Sequence, residues 1–249
     1  MTTIYQNIDN SISKSEKLLA VLIDPDKMKL ENISSFISKV NVSIATHIFV
    51  GGSEVDKGLT EQLVLEIKRF TDLPVILFPG DVIQITDKAD GILFLSLISG
   101  RNSDYLIGKH VEAVSKLKST KLEVIPTGYV LIAPDSYRER KQSSVERVSQ
   151  TKPLKRNNIQ NIIDTAKAGE LLGMKLIYLE AGSGATHAIE AEIISKVKQE
   201  LLIPLIVGGG IRSKKELESA YNSGADLVVI GTAFEENEMF FEELKSSLS

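Results

Sequence analysis

Residues 205–213 read LIVGGGIRS, an apolar run that ends in three consecutive glycines, Gly208, Gly209 and Gly210. The residues that follow, KKELESA, are typical of a helix, so the glycines lie between a predicted strand and a predicted helix. A glycine run at such a junction lets the backbone approach a ligand closely and direct its N–H groups at it. Because phosphate is the usual ligand at the start of a helix, we predict a phosphate site here.

A second junction of the same kind follows, because LVVIGTAF at 227–234 again runs from a strand through Gly231 into a helical segment. Two such junctions near the end of a chain match the phosphate site after strands 7 and 8 of a (β/α)8 barrel. Six earlier apolar segments complete a set of eight predicted strands, at 18–24, 47–52, 74–80, 91–97, 122–128 (or to 132), 175–179, 204–207 and 226–230.

Continuous apolar runs of this kind suit strands that are buried on both faces, as in a parallel sheet. Eight strand–helix units without a break in composition predict an α/β fold in which residues 1–249 form a single (β/α)8 TIM-barrel domain. A doubly wound open sheet is the alternative. Against it, no GxGxxG fingerprint follows the first predicted strand, where a dinucleotide-binding fold would place it.

Two connections are less regular. The third consists of only the ten residues 81–90, DVIQITDKAD, which is too short for a helical crossover. We therefore predict that the third helix is missing or reduced to a turn, which leaves the barrel wall uncovered on that side. Residues 136–158 are polar and basic, and they indicate either a functional loop at the strand ends or a solvated basic loop. The last helix is predicted from about residue 237 to the end.

The composition excludes several classes of protein. The 249 residues carry a net charge of −4 and a pI of about 5.6, which does not support nucleic-acid binding. The absence of cysteine excludes disulfides and thiolate chemistry, and three scattered histidines do not suit a His-rich zinc centre. The N-terminus lacks a signal-peptide pattern, and no apolar stretch reaches the ~18 residues of a membrane span. We expect a cytoplasmic protein.

Candidate functional residues stand at the predicted strand ends, where the barrel fold places its ligand. Asp24 and Ser53 offer hard oxygen ligands, and Mg²⁺ needs few carboxylates where substrate phosphates supply further oxygens. Glu180 is flanked by glycines and is a candidate general base. Simpler interpretations stay open: Asp24 as a turn residue before Pro25, Glu180 as a helix cap or ion-pair partner, and the glycines as a tight turn without a ligand.

Five motifs together resemble the geranylgeranylglyceryl phosphate synthase family, which includes the bacterial heptaprenylglyceryl phosphate synthases. They are LIDPD at 22–26, VGGS at 50–53, YLEAGSG at 178–184, VGGGI at 207–211 and GT at 231–232. The resemblance covers nearly the whole chain. It implies an Mg²⁺-dependent transfer of a prenyl group, most simply geranylgeranyl, from prenyl diphosphate to the C3 hydroxyl of sn-glycerol 1-phosphate, with release of diphosphate.

The resemblance also implies roles for individual residues. Asp24 and Ser53 would hold Mg²⁺, and Glu180 and Tyr178 would be catalytic, with Glu180 as the base. The residues implied to bind glycerol 1-phosphate are Tyr178, Leu179, Glu180, Ala181, Gly182, Ser183, Gly184, Gly209, Gly210, Gly231 and Thr232. Members of this family lack the third barrel helix and form dimers or hexamers, so we expect a homo-oligomer without nucleic-acid or transmembrane partners.

One position departs from the heptaprenyl type, which carries a Lys two residues before the first-strand Asp, where this chain has Leu22. The departure favours the geranylgeranyl branch and predicts that the missing cation comes from the 136–158 segment or from Arg101. Two other functions fit the glycines alone. One is a sugar-phosphate isomerase, aldolase or epimerase barrel, although no Lys stands at a strand end, and the other is a non-catalytic phosphate-binding barrel.

Overall fold

The computed structural model describes residues 2–134, 144–182, 184–236 and 239–245. Eight parallel strands form a closed barrel in which each strand pairs with the next and the last pairs with the first. The strands are β1 (Leu18–Ile23), β2 (His47–Val50), β3 (Val75–Leu77), β4 (Gly91–Ser96), β5 (Glu123–Leu131), β6 (Leu176–Glu180), β7 (Leu205–Gly208) and β8 (Leu227–Ile230). The predicted (β/α)8 barrel is confirmed.

Ten α-helices are described alongside these strands. They are α1 (Ile4–Ser13), α2 (Ile33–Asn41), α3 (Leu59–Ile67), α4 (Lys109–Leu117), α5 (Ser144–Ser149), α6 (Ile159–Leu171), α7 (Ala191–Glu200), α8 (Lys214–Asn222), α9 (Thr232–Glu236) and α10 (Met239–Glu243). Between β3 and β4 the chain forms only a 3₁₀ turn, Val82–Gln84. The predicted loss of the third barrel helix is therefore confirmed. Among the described residues, no helix is long and apolar enough to cross a membrane.

Alternate residues of each strand build two separate apolar layers, as the period of two in a strand requires. Side chains such as Phe49, Leu93 and Ile206 fill the inside of the barrel. Their neighbours, such as Ile48, Ile92 and Val207, pack between the sheet and the helices. Because both layers are apolar, each strand is a continuous hydrophobic run, which is why the strands could be found from the sequence.

Helix α1 closes the end of the barrel where the strands begin. Ile8 on this helix is fully buried and packs with the residues inside the barrel. The Glu123 carboxylate, at the start of β5, accepts hydrogen bonds from the backbone N–H groups of Ile4 and Tyr5 in the first turn of α1. A carboxylate at the N-terminus of a helix is favourable, because it satisfies free N–H groups and the positive end of the dipole. With this end closed, the opposite end is the one open to a ligand.

The structure defines three predicted segments more closely. The longer version of β5 is the one formed, and it ends at Leu131. The segment 136–158 contains α5, and an isolated bridge pairs Leu154 with Ile132; residues 135–143 lie outside the described part of the chain. The final helical region starts at Thr232, earlier than predicted, because the Phe234 ring is buried against Phe240 and Phe241 at centroid distances of 5.2 and 4.1 Å.

Candidate active site

A cavity of about 390 Å³ opens at the carboxyl ends of the strands. Its mouth is lined by groups that follow β1, β2, β6, β7 and β8, and a branch of it runs outward beside β4. The polar lining lies at the mouth, and the apolar lining lies deeper in the barrel and along the branch. A site with one polar end and one apolar end suits a substrate pair in which one molecule is charged and the other carries a hydrocarbon.

The glycines after β7 form one wall of the mouth. Gly209 and Gly210 have φ values of 83° and 72°, in the left-handed region that favours glycine. Neither position has room for a side chain. A Cβ at Gly209 would overlap the Glu180 carboxylate, and a Cβ at Gly210 would lie 2.5 Å from the carbonyl carbon and oxygen of His187. The turn therefore exposes backbone instead of side chains to the cavity, which is the arrangement that a phosphate-binding turn requires.

Three more glycines and a threonine complete this wall. Gly182 and Gly184 follow β6, and Gly231 and Thr232 follow β8; all four line the same cavity as Gly209 and Gly210. The structure thus brings together three turns that are far apart in the sequence. Ser183, predicted to share this wall, lies outside the described residues.

Glu180 lies at the end of β6 in the floor of the mouth, with 6% of its surface exposed. Burial raises the pKa of its carboxyl from the ordinary 4.5 to about 7, because the charged form loses hydration. Hydrogen bonding opposes part of this effect: the Gly182 N–H donates to Oε1 at 2.7 Å. A carboxylate with a pKa near neutral pH is suited to accept a proton from a substrate.

Tyr178 lies two residues earlier on the same face of β6, and its side chain is fully buried. Within the part of the chain that the structure describes, its hydroxyl has no hydrogen-bond partner of ordinary geometry. Burial and the neighbouring Glu180 carboxylate raise its pKa well above 10. The hydroxyl therefore stays protonated and is available to donate a hydrogen bond to a ligand or to Glu180.

Aromatic rings form the floor beneath these two residues. The Phe78 ring lies 5.4 Å from that of Tyr178 and 5.8 Å from that of Tyr129, and the two tyrosine rings are 5.2 Å apart. All three side chains line the cavity. Ring faces attract positive charge, so this floor suits a ligand that develops a cationic carbon. The sequence showed these residues as parts of separate strands and did not predict their contact.

Asp24 and Ser53 also line the mouth, at the ends of β1 and β2. The Asp24 carboxylate accepts a hydrogen bond from the Asp26 N–H at 3.1 Å and lies 3.4 Å from Lys27 Nζ. It packs so closely on Gly52 that a Cβ there would lie 2.7 Å from Oδ1. Among the described residues, no group of three or more His, Asp or Glu forms a metal site from the protein alone. The available donors are hard oxygens on one wall of an open cavity.

The branch of the cavity occupies the space left by the missing helix. It passes between the Val82–Gln84 turn and α4, over the outward-facing side chains of β4, and its apolar lining comprises Val82, Ile85, Ile92, Phe94 and Ala113. His110 on α4 joins this lining, with its Nε2 atom 3.0 Å from Ser96 Oγ and its ring edge-on to Phe94 at 4.4 Å. Burial lowers the pKa of His110, so the ring is neutral and compatible with an apolar ligand.

A family model described as the PcrB family matches residues 10–248. The chain belongs to the PcrB family. Two curated relatives, each named geranylgeranylglyceryl phosphate synthase, come from Flavobacterium johnsoniae and Zunongwangia profunda. The first is 53% identical and covers 97% of this chain and 98% of the relative. The second is 55% identical and covers 96% of this chain and 99% of the relative.

A solved structure shares the PcrB-family fold with a TM-score of 0.89 at 32% identity, over 98% of this chain and 96% of the other. It is the (S)-3-O-geranylgeranylglyceryl phosphate synthase of Thermoplasma acidophilum, described as a complex with the substrate sn-glycerol-1-phosphate. The family that the five motifs resemble is therefore confirmed by relatives that cover almost the whole chain.

Several positions singled out in the sequence lie away from the cavity of this PcrB-family chain. The side chains of Leu179 and Ala181 point into the layer between sheet and helices, because they alternate with Tyr178 and Glu180 along β6. Arg101 is folded back, and its guanidinium donates to the Ser99 carbonyl at 2.9 Å and to Thr165 Oγ1 at 3.1 Å. The structure does not bring Arg101 to the cavity as the missing cation.

The 136–158 segment gives a mixed result. Arg138, Arg140 and Lys141 lie outside the described residues. Helix α5 covers part of the mouth with Val145 and Val148, and its Arg147 pairs with Glu54 on the far side of the mouth. The cationic side chains that line the cavity within the described residues are Lys27, Lys109 and Arg212. These three could not be identified from the sequence, because nothing in their spacing shows which cations point inward.

Proposed function

We propose that this PcrB-family chain transfers a prenyl group from prenyl diphosphate to the C3 hydroxyl of sn-glycerol 1-phosphate. The reaction forms an ether bond and releases diphosphate. The observation that carries the proposal is the position of Glu180, a buried carboxyl with a pKa of about 7 that lies between a glycine-lined wall and an apolar branch of the same cavity. The names of the two curated relatives and the ligand of the solved neighbour support the same reaction.

The acceptor is assigned to the glycine-lined wall. Gly182 and Gly184, the turn at Gly209–Gly210 and the turn at Gly231–Thr232 present backbone and a hydroxyl to one region of the cavity, which suits a single phosphate group. Glu180 lies directly beside Gly209, so a glycerol chain held by its phosphate there would have a hydroxyl within reach of the carboxylate. Tyr178 completes this region as a hydrogen-bond donor. Holding the acceptor in this way makes its attack on the donor effectively intramolecular.

The chemistry follows from the same residues. The bond between C1 of the prenyl group and the diphosphate oxygen breaks, and diphosphate leaves with the electron pair. The C3 oxygen of the acceptor forms the new bond to C1, and its proton passes to Glu180. Positive charge that develops on the allylic carbon faces the rings of Phe78, Tyr129 and Tyr178, which stabilise a cation without adding a nucleophile.

We propose Mg²⁺ as the cofactor, held by Asp24 and Ser53 together with the oxygens of the diphosphate. The fit rests on the donor set, because one carboxylate and one hydroxyl on an open wall leave most positions to substrate oxygens and water, which Mg²⁺ prefers. When bound, the ion neutralises charge on the leaving group. Lys27, 3.4 Å from Asp24, lies where it adds positive charge to the same region.

The apolar branch is assigned to the prenyl tail, and geranylgeranyl is the proposed donor group. The branch continues from the mouth and is lined by aliphatic and aromatic side chains along β4 and α4. Leu22 lines the mouth where the heptaprenyl type carries a Lys, which agrees with the geranylgeranyl branch of the family. Lys109, paired with Asp81 at 2.8 Å, lies between the mouth and the branch and is a candidate for the missing cation.

Three further features belong to the proposal. Residues 1–249 act as one TIM-barrel domain, since the strands of a single closed barrel run from residue 18 to residue 230.

The protein is a cytoplasmic homo-oligomer. Support for self-association comes from a surface of Leu171, Leu172 and Leu202, which are 78%, 76% and 91% exposed; the Leu202 N–H donates to Glu170, so the three lie together. Exposed apolar patches of this kind mark contact surfaces.

The proposed function is tested by incubating the purified chain with Mg²⁺, sn-glycerol 1-phosphate and prenyl diphosphates of C15, C20 and C35 chain length. We expect formation of the prenylglyceryl ether and release of diphosphate, fastest with C20, and loss of both on chelation of Mg²⁺. sn-Glycerol 3-phosphate serves as the control acceptor, because it differs only in stereochemistry. Binding of glycerol 1-phosphate without any ether product would leave a phosphate-binding barrel as the function and reject the transferase.

A further inference from the structure

Arg156 lies in the basic segment that was predicted to supply a cation for the diphosphate, but most of its side chain is covered by the protein. Its side chain is 9% exposed. Nε donates to the Ala133 carbonyl at 2.6 Å, and Nη1 donates to the Ala188 carbonyl and to Glu190 Oε2, both at 2.9 Å. Nη2 points at the His187 carbonyl at 3.4 Å. One guanidinium thus connects the end of β5 to the loop between β6 and α7.

The loop that Arg156 holds is in direct contact with the glycine turn after β7. A Cβ at Gly210 would lie 2.5 Å from the carbonyl carbon and oxygen of His187 and 2.7 Å from the Ala188 nitrogen. The peptide between His187 and Ala188 is therefore packed against the Gly210 backbone with no spare room. The carbonyl of this peptide, that of His187, and the next carbonyl, that of Ala188, both face the Arg156 guanidinium. Any movement of this peptide changes the space available to the turn.

The backbone that carries Arg156 is itself fixed to the strand beside Glu180. The Leu154 N–H donates to the Leu131 carbonyl at 2.9 Å, and the Ala133 N–H donates to the Leu154 carbonyl at 2.8 Å. Ile132 N–H in turn donates to the Glu180 carbonyl at 2.8 Å. A continuous set of hydrogen bonds therefore runs from the strand end that carries the base, through Arg156, to the loop that packs on Gly210.

We propose that Arg156 is a positioning residue for the phosphate of the acceptor. Its side chain is not among the residues that line the cavity, so we assign it an indirect role. It holds the loop at 184–190 against Gly210, so that the turns after β6 and β7 form one cradle at a fixed distance from Glu180. The inference rests on the proposed function, because the phosphate in question is that of glycerol 1-phosphate. The planar guanidinium fork suits the task, since it donates in several fixed directions at once, which a Lys ammonium does not.

The test compares Arg156→Gln and Arg156→Lys with the wild type. Arg69→Gln is the control, because it removes an exposed Arg whose contacts, with Glu66 and the Phe70 ring, are local. We expect Arg156→Gln to raise KM for glycerol 1-phosphate roughly ten- to hundredfold, since displacement of a binding group by about 1 Å has effects of that order. The inhibition constant of inorganic phosphate should rise with it. KM for prenyl diphosphate should stay within about twofold of the wild type, and Arg156→Lys should fall between the two.

Two results would overturn the proposal. One is an unchanged KM for glycerol 1-phosphate in both folded variants. The other is a loss of kcat in proportion to a loss of folded protein, with both KM values unchanged, which a purely structural role predicts. If Arg156→Gln does not fold, Arg156→Lys decides between the same outcomes. If the wild type forms no ether at all, the proposed function fails separately, and calorimetric binding of inorganic phosphate to the wild type and the variants still tests Arg156.

Discussion

Replacing Glu180 by Gln is expected to slow the reaction strongly and, above pH 7, to make the protein more stable. Both effects have one cause. The carboxyl is buried beside the glycine wall, and burial raises its pKa from 4.5 to about 7. An ionised carboxylate in that position can act as a base, but it is poorly hydrated. Ionisation of Glu180 therefore destabilises the folded state. Gln has nearly the same shape and has no charge to ionise.

The size of the stability effect follows from the two pKa values. A carboxyl whose pKa is higher in the folded than in the unfolded chain favours folding while it is protonated. That contribution is fully present below about pH 4.5 and is lost as the pH rises through about 7. The difference between the two pKa values corresponds to ~3 kcal/mol of unfolding free energy, at about 1.4 kcal/mol for each pH unit. Glu180→Gln should therefore gain stability relative to the wild type as the pH is raised from 5 to 8, by an amount of that order.

The size of the catalytic effect follows from the role of a general base. Removing one is expected to lower kcat by roughly 10²- to 10⁴-fold. In the wild type, kcat/KM should fall about tenfold for each pH unit below about 7, because only the ionised carboxylate accepts the proton. Binding of the acceptor phosphate should change little, since the glycine wall does not depend on the charge of Glu180.

The assays are ether formation across pH 5–9 and chemical unfolding in denaturant at pH 5, 6.5 and 8, which reports the free energy of unfolding. Glu218→Gln, a change of the same chemistry at an exposed position on α8, is the control and should alter neither quantity. Two results contradict the reasoning. A Glu180→Gln variant with wild-type kcat removes Glu180 as the base. If the stability difference between Glu180→Gln and the wild type does not grow with pH, ionisation of Glu180 does not destabilise the folded state.

Three further predictions concern the other parts of the cavity. Asp24→Asn should raise the Mg²⁺ concentration needed for half-maximal rate on the order of tenfold, while KM for glycerol 1-phosphate stays unchanged; a metal titration checks this. Gly209→Ala should raise KM for glycerol 1-phosphate, whereas Gly173→Ala, with a similar φ of 93° but open space around it, should lose only ~1 kcal/mol of stability. Ala113→Phe should fill the branch and shift the donor preference from C20 towards C15; an equal loss for all chain lengths would refute this.

The barrel could be predicted from the sequence because its main determinant is local. The strands are largely apolar on both faces, and most of them end at or next to a glycine or a polar residue, so the pattern appears without knowledge of the neighbours. The short third connection was visible for the same reason, since chain length alone forbids a helix between residues 81 and 90. The end of the chain was less predictable, because the early start at Thr232 depends on the contact of Phe234 with two rings of α10.

The candidate site could be predicted in part. Barrel geometry places strand ends together, which was enough to group Asp24, Ser53 and Glu180 with the glycine turns. The directions of long cationic side chains depend on contacts that the sequence does not show. Arg101 and Arg156 both looked available for an anion, but each is satisfied by backbone carbonyls, whereas Lys109 lines the cavity.

The missing helix explains how one barrel serves two substrates of opposite character. In an ordinary (β/α)8 barrel, a helix covers the outer face of every strand, and the ligand reaches only the mouth. Here the outer face of β4 is covered by the short turn at Val82–Gln84 and by α4, which is tied to that turn by Lys116 Nζ at 2.7 Å from the Val82 carbonyl. The space between them holds apolar side chains that a hydrocarbon can cover. Prenyl diphosphate should therefore protect this part of the chain, and hydrogen exchange of α4 amides should slow on its addition but not on addition of diphosphate alone.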